Sequence, residues 1–255
     1  NNTDATNNVA SQWRVITPDG TKYYFGIDAS GQSDYSVYYD FNANAQVANR
    51  WMLSRVEDTH GNLILISWAR LTKTMTSGSS GFMTPAVYPT QISYSGKNPS
   101  VLPCTIVFNR STQSGSTTSV DRQDVNIAWW INQSNTQQSY DIKYLDSLDV
   151  KVSGNVARRY KFTYANVSSS GYAASVPLML QSVSLWNDST AALTQNLFTV
   201  AYTDPTYPIT DYTSGGTAAG PNGYRLLSTL TNGLGGSYTF AYQTESSQPP
   251  NPTVG

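Results

Sequence analysis

Apolar and polar residues alternate in short runs along most of this chain. In "YKFTY" the period of two puts Tyr160, Phe162 and Tyr164 on one face of a predicted strand, with Lys161 and Thr163 on the other. Such runs are rich in Tyr, Phe, Val, Ile, Thr and Trp and are bounded by Gly, Asn, Asp and Pro, the pattern of strands joined by turns. "TPDGTKYYFG" (Thr17 to Gly26) predicts a tight turn at Asp19-Gly20. "VYPTQISYSG" (Val87 to Gly96) and "LPCTIVFNR" (ending at Arg110) predict further strands. Helical periodicity is nearly absent, and "NANAQVANR" (Asn42 to Arg50) is the one stretch that predicts a short helical turn. Polar stretches at Thr72 to Pro85, Ser111 to Ser119 and Thr203 to Gly223 predict loops. The last is long for a structureless loop, which assigns it to packing on a neighbouring surface or to an interface.

One phrase recurs. "WMLSRVEDTHGNLILISW" opens with Leu53 and Val56, turns at Thr59 to Asn62, and returns through Ile64 and Ile66 to Trp68. "LLSTLTNGLGGSYTFAY" opens with Leu227 and Leu230, turns at Asn232 to Gly236, and returns through Tyr238 and Phe240 to Tyr242. Two longer copies lie between them. One runs from Leu145 and Leu148 to Tyr164, the other from Leu180 and Val183 to Tyr202. A lone hairpin cannot bury such an aromatic face. Hairpins laid side by side form a continuous twisted sheet, and that sheet must curl or fold back to cover its apolar side. The closing aromatics Trp68, Tyr164, Tyr202 and Tyr242 are therefore expected at equivalent positions, facing one buried layer.

Composition narrows the function classes. Hydrophobic residues make up 39% of the 255 residues, enough for a sizeable core, but charged residues only 12%. Neutral polar residues replace them, which suits a secreted or surface-displayed β protein. With a net charge of −1 and no basic block, the footprint of nucleic-acid binding is missing. No apolar run is long enough to cross a membrane as a helix, so no membrane insertion is expected. The N-terminal stretch has no signal-peptide pattern, so either a signal has been removed or the chain belongs to a longer one. Cys104, the one cysteine, lies in an apolar strand and reads as a small buried hydrophobe.

Candidate chemistry is sparse. Glu57, Asp58 and His60 cluster in one turn, where Asp58 is expected to bind backbone N–H groups while Gly61-Asn62 supply positive φ. One histidine and one distant cysteine build no zinc site, and no calcium loop, phosphate loop or nucleophile elbow is present. No catalytic, metal or cofactor residue is therefore assigned. Trp129 and Trp130 are neighbours on a predicted strand and point to opposite faces, so one indole enters the core while the other is free to stack on a sugar or a neighbouring layer. With Tyr207 and Tyr212 of the long loop, they are the candidate ligand or interface residues.

The phrase L-x-x-V-x-D-x-x-G-N-x-I-x-I-x-W resembles the repeats of the RHS/YD-repeat family, nearest to the B component of bacterial Tc toxin complexes and SpvB-like regions. "YPTQISYSG", "IVFNRS…VDRQD", "VARRYKFTYAN" and the final "NGLGG" hairpin resemble further elements of that family, over roughly residues 13–244. The Tyr-Asp dipeptides at Tyr39-Asp40 and Tyr140-Asp141 lie outside the usual repeat frame, and the self-cleaving region of the family is not visible. The resemblance implies an all-β fold in which repeated hairpins form a long, curled antiparallel sheet, part of a shell. It divides the chain into an N-terminal extension (1–12), the repeat domain (13–244) and a linker or tail (245–255). The function it implies is a non-catalytic wall or scaffold segment of a large extracellular or cell-surface bacterial protein. Its partners would be other segments of the same long chain, further copies, or an encapsulated polypeptide. The alternative is a secreted carbohydrate-binding β module, with a glycan as ligand. A glycan-active enzyme ranks below both, because no paired carboxylates stand out.

Overall fold

The computed structural model describes residues 3–4, 9–10, 12–27, 33–40, 45–74, 82–110, 143–165, 167–168, 171–172, 178–188, 194–203 and 226–242. In them every regular element is a strand. The order is β1 (Thr3–Asp4), β2 (Val9–Ala10), β3 (Trp13–Ile16), β4 (Lys22–Ile27), β5 (Ser33–Asp40), β6 (Ala45–Trp51), β7 (Leu53–Glu57), β8 (Leu63–Thr74), β9 (Phe82–Gly96), β10 (Cys104–Arg110), β11 (Leu145–Val152), β12 (Asn155–Ala165), β13 (Val167–Ser168), β14 (Gly171–Tyr172), β15 (Met179–Trp186), β16 (Thr194–Thr203), β17 (Leu226–Asn232) and β18 (Ser237–Thr239).

Fourteen of these strands form one sheet, ordered β18-β17-β16-β15-β12-β11-β10-β9-β8-β7-β4-β5-β6, with β3 paired to β4. Every pairing in it is antiparallel. From β7 onward the spatial order follows the chain, apart from the separate β13–β14 pair. This meander is what short hairpin connections produce. The all-β, hairpin-built sheet expected from the sequence is the fold.

The tight turns are set locally. In three hairpins the first residue of a five-residue turn donates its N–H to the fifth: Thr17 to Thr21 (3.0 Å), Asp58 to Asn62 (3.1 Å) and Asn232 to Gly236 (2.8 Å). The fourth residue is Gly20, Gly61 or Gly235, with φ of 85°, 80° and 89°. Only glycine enters that region without a Cβ penalty, and the extra residue makes a bulge that matches the strand twist. Of the pair expected to supply positive φ, Gly61 does so and Asn62 does not.

Three expectations need correcting. Asn42 to Arg50 holds no helical turn over its described residues, since Ala45–Trp51 is strand β6, paired with β5 from Tyr35↔Trp51 to Asp40↔Ala45. So short a helix has little stability of its own, and a ladder of backbone bonds outweighs the propensity of Ala and Gln. The loop expected over Thr72 to Pro85 is shorter, because β8 runs to Thr74 and β9 begins at Phe82, with Lys73↔Met83 and Thr74↔Phe82 still paired. Cys104 is half-buried, not fully enclosed.

The two faces of the sheet differ in chemistry. Cross-strand partners share a face, so Ile66, Ile92, Ile106 and Val150 make one apolar row over four strands. Phe108, Leu148, Tyr160 and Leu185 make a second. On the opposite face Asn109, Ser147, Lys161, Ser184 and Asn196 stand in one polar row. Side-chain bonds tie that row together, Asn109 Nδ2–H to Ser147 Oγ at 3.1 Å and Ser184 Oγ–H to Asn196 Oδ1 at 2.8 Å. The apolar face remains largely half-buried. Ile64 (41%), Val152 (48%) and Tyr238 (71%) are exposed on it, from β8 across to β18.

Candidate functional site

The feature that repeats is a bulge followed by a side-chain latch. The bulge occurs in five successive hairpins, β7–β8, β9–β10, β11–β12, β15–β16 and β17–β18, and the latch in the first four of them. Toward the preceding strand, each opening strand bulges by one residue just after its opening residue. Tyr24 faces Arg55 but Phe25 faces Leu53, which leaves Ser54 extra. Thr90, Asp146, Gln181 and Ser228 are extra in the same way, next to Pro89, Leu145, Leu180 and Leu227.

Toward the return strand, the ladder stops two residues after the opening residue. The terminal pairs are Arg55↔Leu65, Gln91↔Val107, Ser147↔Lys161, Ser182↔Thr199 and Thr229↔Thr239. Beyond them the carbonyl of the opening residue faces the return strand with no backbone donor opposite, and a half-buried carbonyl in that position needs one. Three residues past the terminal pair the return strand supplies it. Trp68 Nε1–H donates to Leu53 O (2.9 Å), Arg110 Nη2–H to Pro89 O (3.2 Å), Tyr164 OH to Leu145 O (2.8 Å) and Tyr202 OH to Leu180 O (2.8 Å). Trp, Arg and Tyr share what this role needs, a long planar side chain with a donor at its tip. Burial raises the Tyr202 phenol above its ordinary value, which keeps the donating proton in place.

Each latch also joins one hairpin to the next. Trp68, Arg110, Tyr164 and Tyr202 are the ladder partners of the following opening residues, Pro89, Leu145, Leu180 and Leu227. Main chain forward and side chain back, these residues make a seam across the strands. Rings pack along it, with the Arg110 guanidinium 4.4 Å from the Tyr88 ring centroid and Tyr144 edge-on to Tyr164 at 5.3 Å.

The equivalence expected of Trp68, Tyr164 and Tyr202 is therefore found, at half-buried positions. Tyr242 stands the same three residues past its terminal pair but is 49% exposed, and among the described residues it makes no latch to Leu227. The fifth member, Pro89 with Arg110, escaped the sequence reading because its closing residue is not aromatic. The available signal was Pro89-x-x-Ile92, which matches Leu-x-x-apolar in spacing.

The carboxylates serve structure. Asp58 Oδ1 accepts from the N–H groups of His60 (2.9 Å) and Asn62 (2.8 Å), and Oδ2 accepts from Asn62 Nδ2 (2.6 Å). These bonds, the Asn62 side chain first, hold the Asp58 carboxyl below its ordinary value. Asn232 repeats the device, accepting from Leu234 N–H (3.0 Å) and Gly236 N–H (2.8 Å). Glu57 lies between Lys22 Nζ (3.1 Å) and Arg55 Nη2 (2.5 Å), and the Lys22 bond is the main cause of its lowered pKa. His60 Nδ1 is 3.4 Å from Thr59 Oγ1.

On the polar face, Asp149 takes a two-point contact from Arg159, Nε to Oδ1 at 2.5 Å and Nη2 to Oδ2 at 2.7 Å. That bond lowers the Asp149 pKa against the opposing pull of burial. Lys161 pairs with the bulged Asp146 beside it. Among the described residues no three of His, Cys, Asp and Glu could hold a metal ion. The candidate ligand or interface residues Trp129, Trp130, Tyr207 and Tyr212 lie outside the described residues.

No protein-family model matches the chain, and no curated protein matches it. Among solved structures it is similar to a Photorhabdus luminescens Tc holotoxin pore with a mutant TccC3, at 13% identity and a TM-score of 0.45, over 76% of this chain and 10% of that one. It is similar to a TcdB2-TccC3 structure at 13% identity and a TM-score of 0.46, over 78% of this chain and 11% of that one. The N-terminal domain of the effector SpvB from Salmonella typhimurium strain LT2 matches at 10% identity and a TM-score of 0.28, over 94% of this chain and 64% of that one. The chain thus spans about a tenth of the toxin-complex chains and is similar, at low identity, to structures of toxin-related proteins.

Proposed function

We propose that this chain is a non-catalytic wall segment of a large extracellular bacterial protein of the RHS/YD-repeat kind. The observation that carries the reading is the five-fold recurrence of one bulge and one register in consecutive hairpins. A repeated register propagates a sheet sideways without limit, which is what a wall needs and what a single closed binding module does not. The half-exposed apolar face supports the same reading. One sheet layer buries its apolar side only against another layer, so Ile64 and Val152 would be covered once the wall is complete. The groups best suited to acid–base work, Glu57 and Asp58, are occupied by turn and ion-pair bonds.

The test is thiol labelling. Cys104 is first replaced by serine, and Ile64→Cys, Val152→Cys and, on the polar face, Lys151→Cys are introduced singly. Each is made both in this chain alone and in the full gene product. Labelling at positions 64 and 152 should drop at least tenfold in the full product, while position 151 labels in both. Equal labelling at 64 and 152 in the two contexts would overturn the wall reading.

A further inference from the structure

The last hairpin is incomplete in one specific way. In the four hairpins whose latch is closed, a further strand lies outside the return strand, with its opening residue opposite the closing residue. The pairs are Trp68↔Pro89, Arg110↔Leu145, Tyr164↔Leu180 and Tyr202↔Leu227. In the fifth, β18 is the terminal strand of the sheet order, and no described strand lies outside it. There alone the latch is open. Tyr242 stands three residues beyond the terminal pair Thr229↔Thr239, as its four counterparts do, yet it is 49% exposed and its neighbour Phe240 is 41% exposed.

We infer that the outer edge of β18 is a docking slot for one further antiparallel strand, and that docking closes the latch from Tyr242 to the Leu227 carbonyl. The occupant is defined by the four closed cases. It carries Leu or Pro opposite Tyr242, a one-residue bulge just after it, and an apolar residue three positions on, matching Ile92, Leu148, Val183 and Leu230. The bulge is what brings the incoming opening residue level with the closing residue, so a flat strand in regular register does not fit the slot.

The slot also has defined donors. Phe240 N–H is bonded inward to Ser228 O at 2.9 Å. Along a strand successive N–H groups point to opposite sides, so Thr239 directs its N–H outward, and Ala241, just past the end of β18, would do so once docking extends the strand to Tyr242. No proline interrupts residues 237–242, so the whole edge is able to pair. This inference rests on the wall reading and names the chemistry of the neighbouring segment.

The experiment uses the full chain and a synthetic peptide with the sequence RLLSTLTN, which reproduces an opening strand. Amide exchange at Thr239 and Ala241 is followed by NMR together with binding by fluorescence anisotropy. The peptide should bind and slow exchange at these two amides. A peptide with serine at the positions of Leu227 and Leu230 should bind at least tenfold more weakly. In the chain, Tyr242→Phe keeps the ring but removes the latch proton and should weaken binding about three- to tenfold. Absence of binding, or equal binding of both peptides, would overturn the inference. So would protection of Thr239 and Ala241 without peptide, whether constant (the edge is already covered by the chain itself) or rising with protein concentration (a second copy fills it). A chain that passes the labelling test and fails this one keeps its role as a wall segment and loses the slot.

Discussion

The indole N–H of Trp68 donates to the carbonyl of Leu53 at 2.9 Å, and the hydroxyl of Tyr202 makes the same bond to Leu180 at 2.8 Å. The two bonds lie several strands apart in the sheet and span different numbers of residues, 15 and 22. The register around them is the same. What recurs in this fold is thus a donor placed over a bulge, not a fixed count of residues.

Removing the donor alone should expose its worth. Tyr164→Phe and Tyr202→Phe each leave a half-buried carbonyl without a partner, and each should lower stability by about 1–2 kcal/mol. Tyr160→Phe removes a hydroxyl that serves no latch and should cost less than about 0.5 kcal/mol. The two latch losses should add, because separate latches share no atoms. Urea denaturation of the three single variants and the double variant checks this. A cost at Tyr160 equal to that at Tyr164 would remove the latch from the account.

Most of the architecture was legible in the sequence, because alternation of period two reports which face of a strand is apolar. The four aromatic-closed hairpins were found that way. Pro89 with Arg110 was not, since a search for aromatics cannot see that an arginine tip does the same work. The bulges left no sharp sequence mark, as Ser54, Thr90, Asp146, Gln181 and Ser228 share only a polar side chain, and they range from buried Ser54 to exposed Gln181. Strand β6 was misread because Ala, Gln and Asn describe local preference, while its pairing with β5 is a long-range fact. The ion pair of Asp149 with Arg159 was equally hidden, since it joins two strands ten residues apart across a turn.

If the donor matters and the aromatic ring is secondary, the latch residues should be interchangeable. Arg110→Ala should destabilise by about 2 kcal/mol through the lost bond to Pro89 and the lost stacking on Tyr88. Arg110→Tyr should recover about 1 kcal/mol of that loss. Thermal unfolding of the two variants side by side decides the matter. Equal melting temperatures would mean that Arg110 acts here through its charge alone.

The turns differ in one respect that their common bonding conceals. Thr59 and Gly233 hold the same place in two turns of the same type. A Cβ on Gly233 would sit 1.8 Å from the Asn196 carbonyl oxygen, whereas one on Gly235 meets nothing within 4 Å. Gly233 N–H is bonded to Leu197 O at 2.8 Å, so the last turn is pressed against the β16 backbone. Gly233→Ala should therefore cost about 2–4 kcal/mol through the clash. Gly235→Ala should cost only about 1 kcal/mol, for the positive φ, and Thr59→Ala less than about 0.5 kcal/mol. Chemical denaturation orders the three, and a Gly233→Ala variant as stable as Thr59→Ala would contradict the close approach.

Stability should have a plateau whose two ends have different causes. At the acid end, Asp149 is held by Arg159 and its pKa is lowered on folding. A lowered carboxylate contributes fully above its unfolded value of about 3.9 and loses that contribution as pH falls through the lower folded value. Glu57, Asp58 and Asp19 are lowered too, so they act in the same direction. Asp149 is only 4% exposed and Arg159 20%, so solvent screens this pair less than a surface pair. Asp149→Asn should cost about 3 kcal/mol at neutral pH and flatten the fall in melting temperature below about pH 4. At the alkaline end, the Tyr202 phenol is raised, so its contribution is intact below its unfolded value of about 10 and is lost as pH rises beyond it. Tyr202→Phe should remove part of the alkaline fall and leave the acid fall unchanged, whereas Asp149→Asn should do the reverse. Melting temperatures measured from pH 2 to 11 on both variants test the assignment, and a variant that alters the wrong limb refutes it.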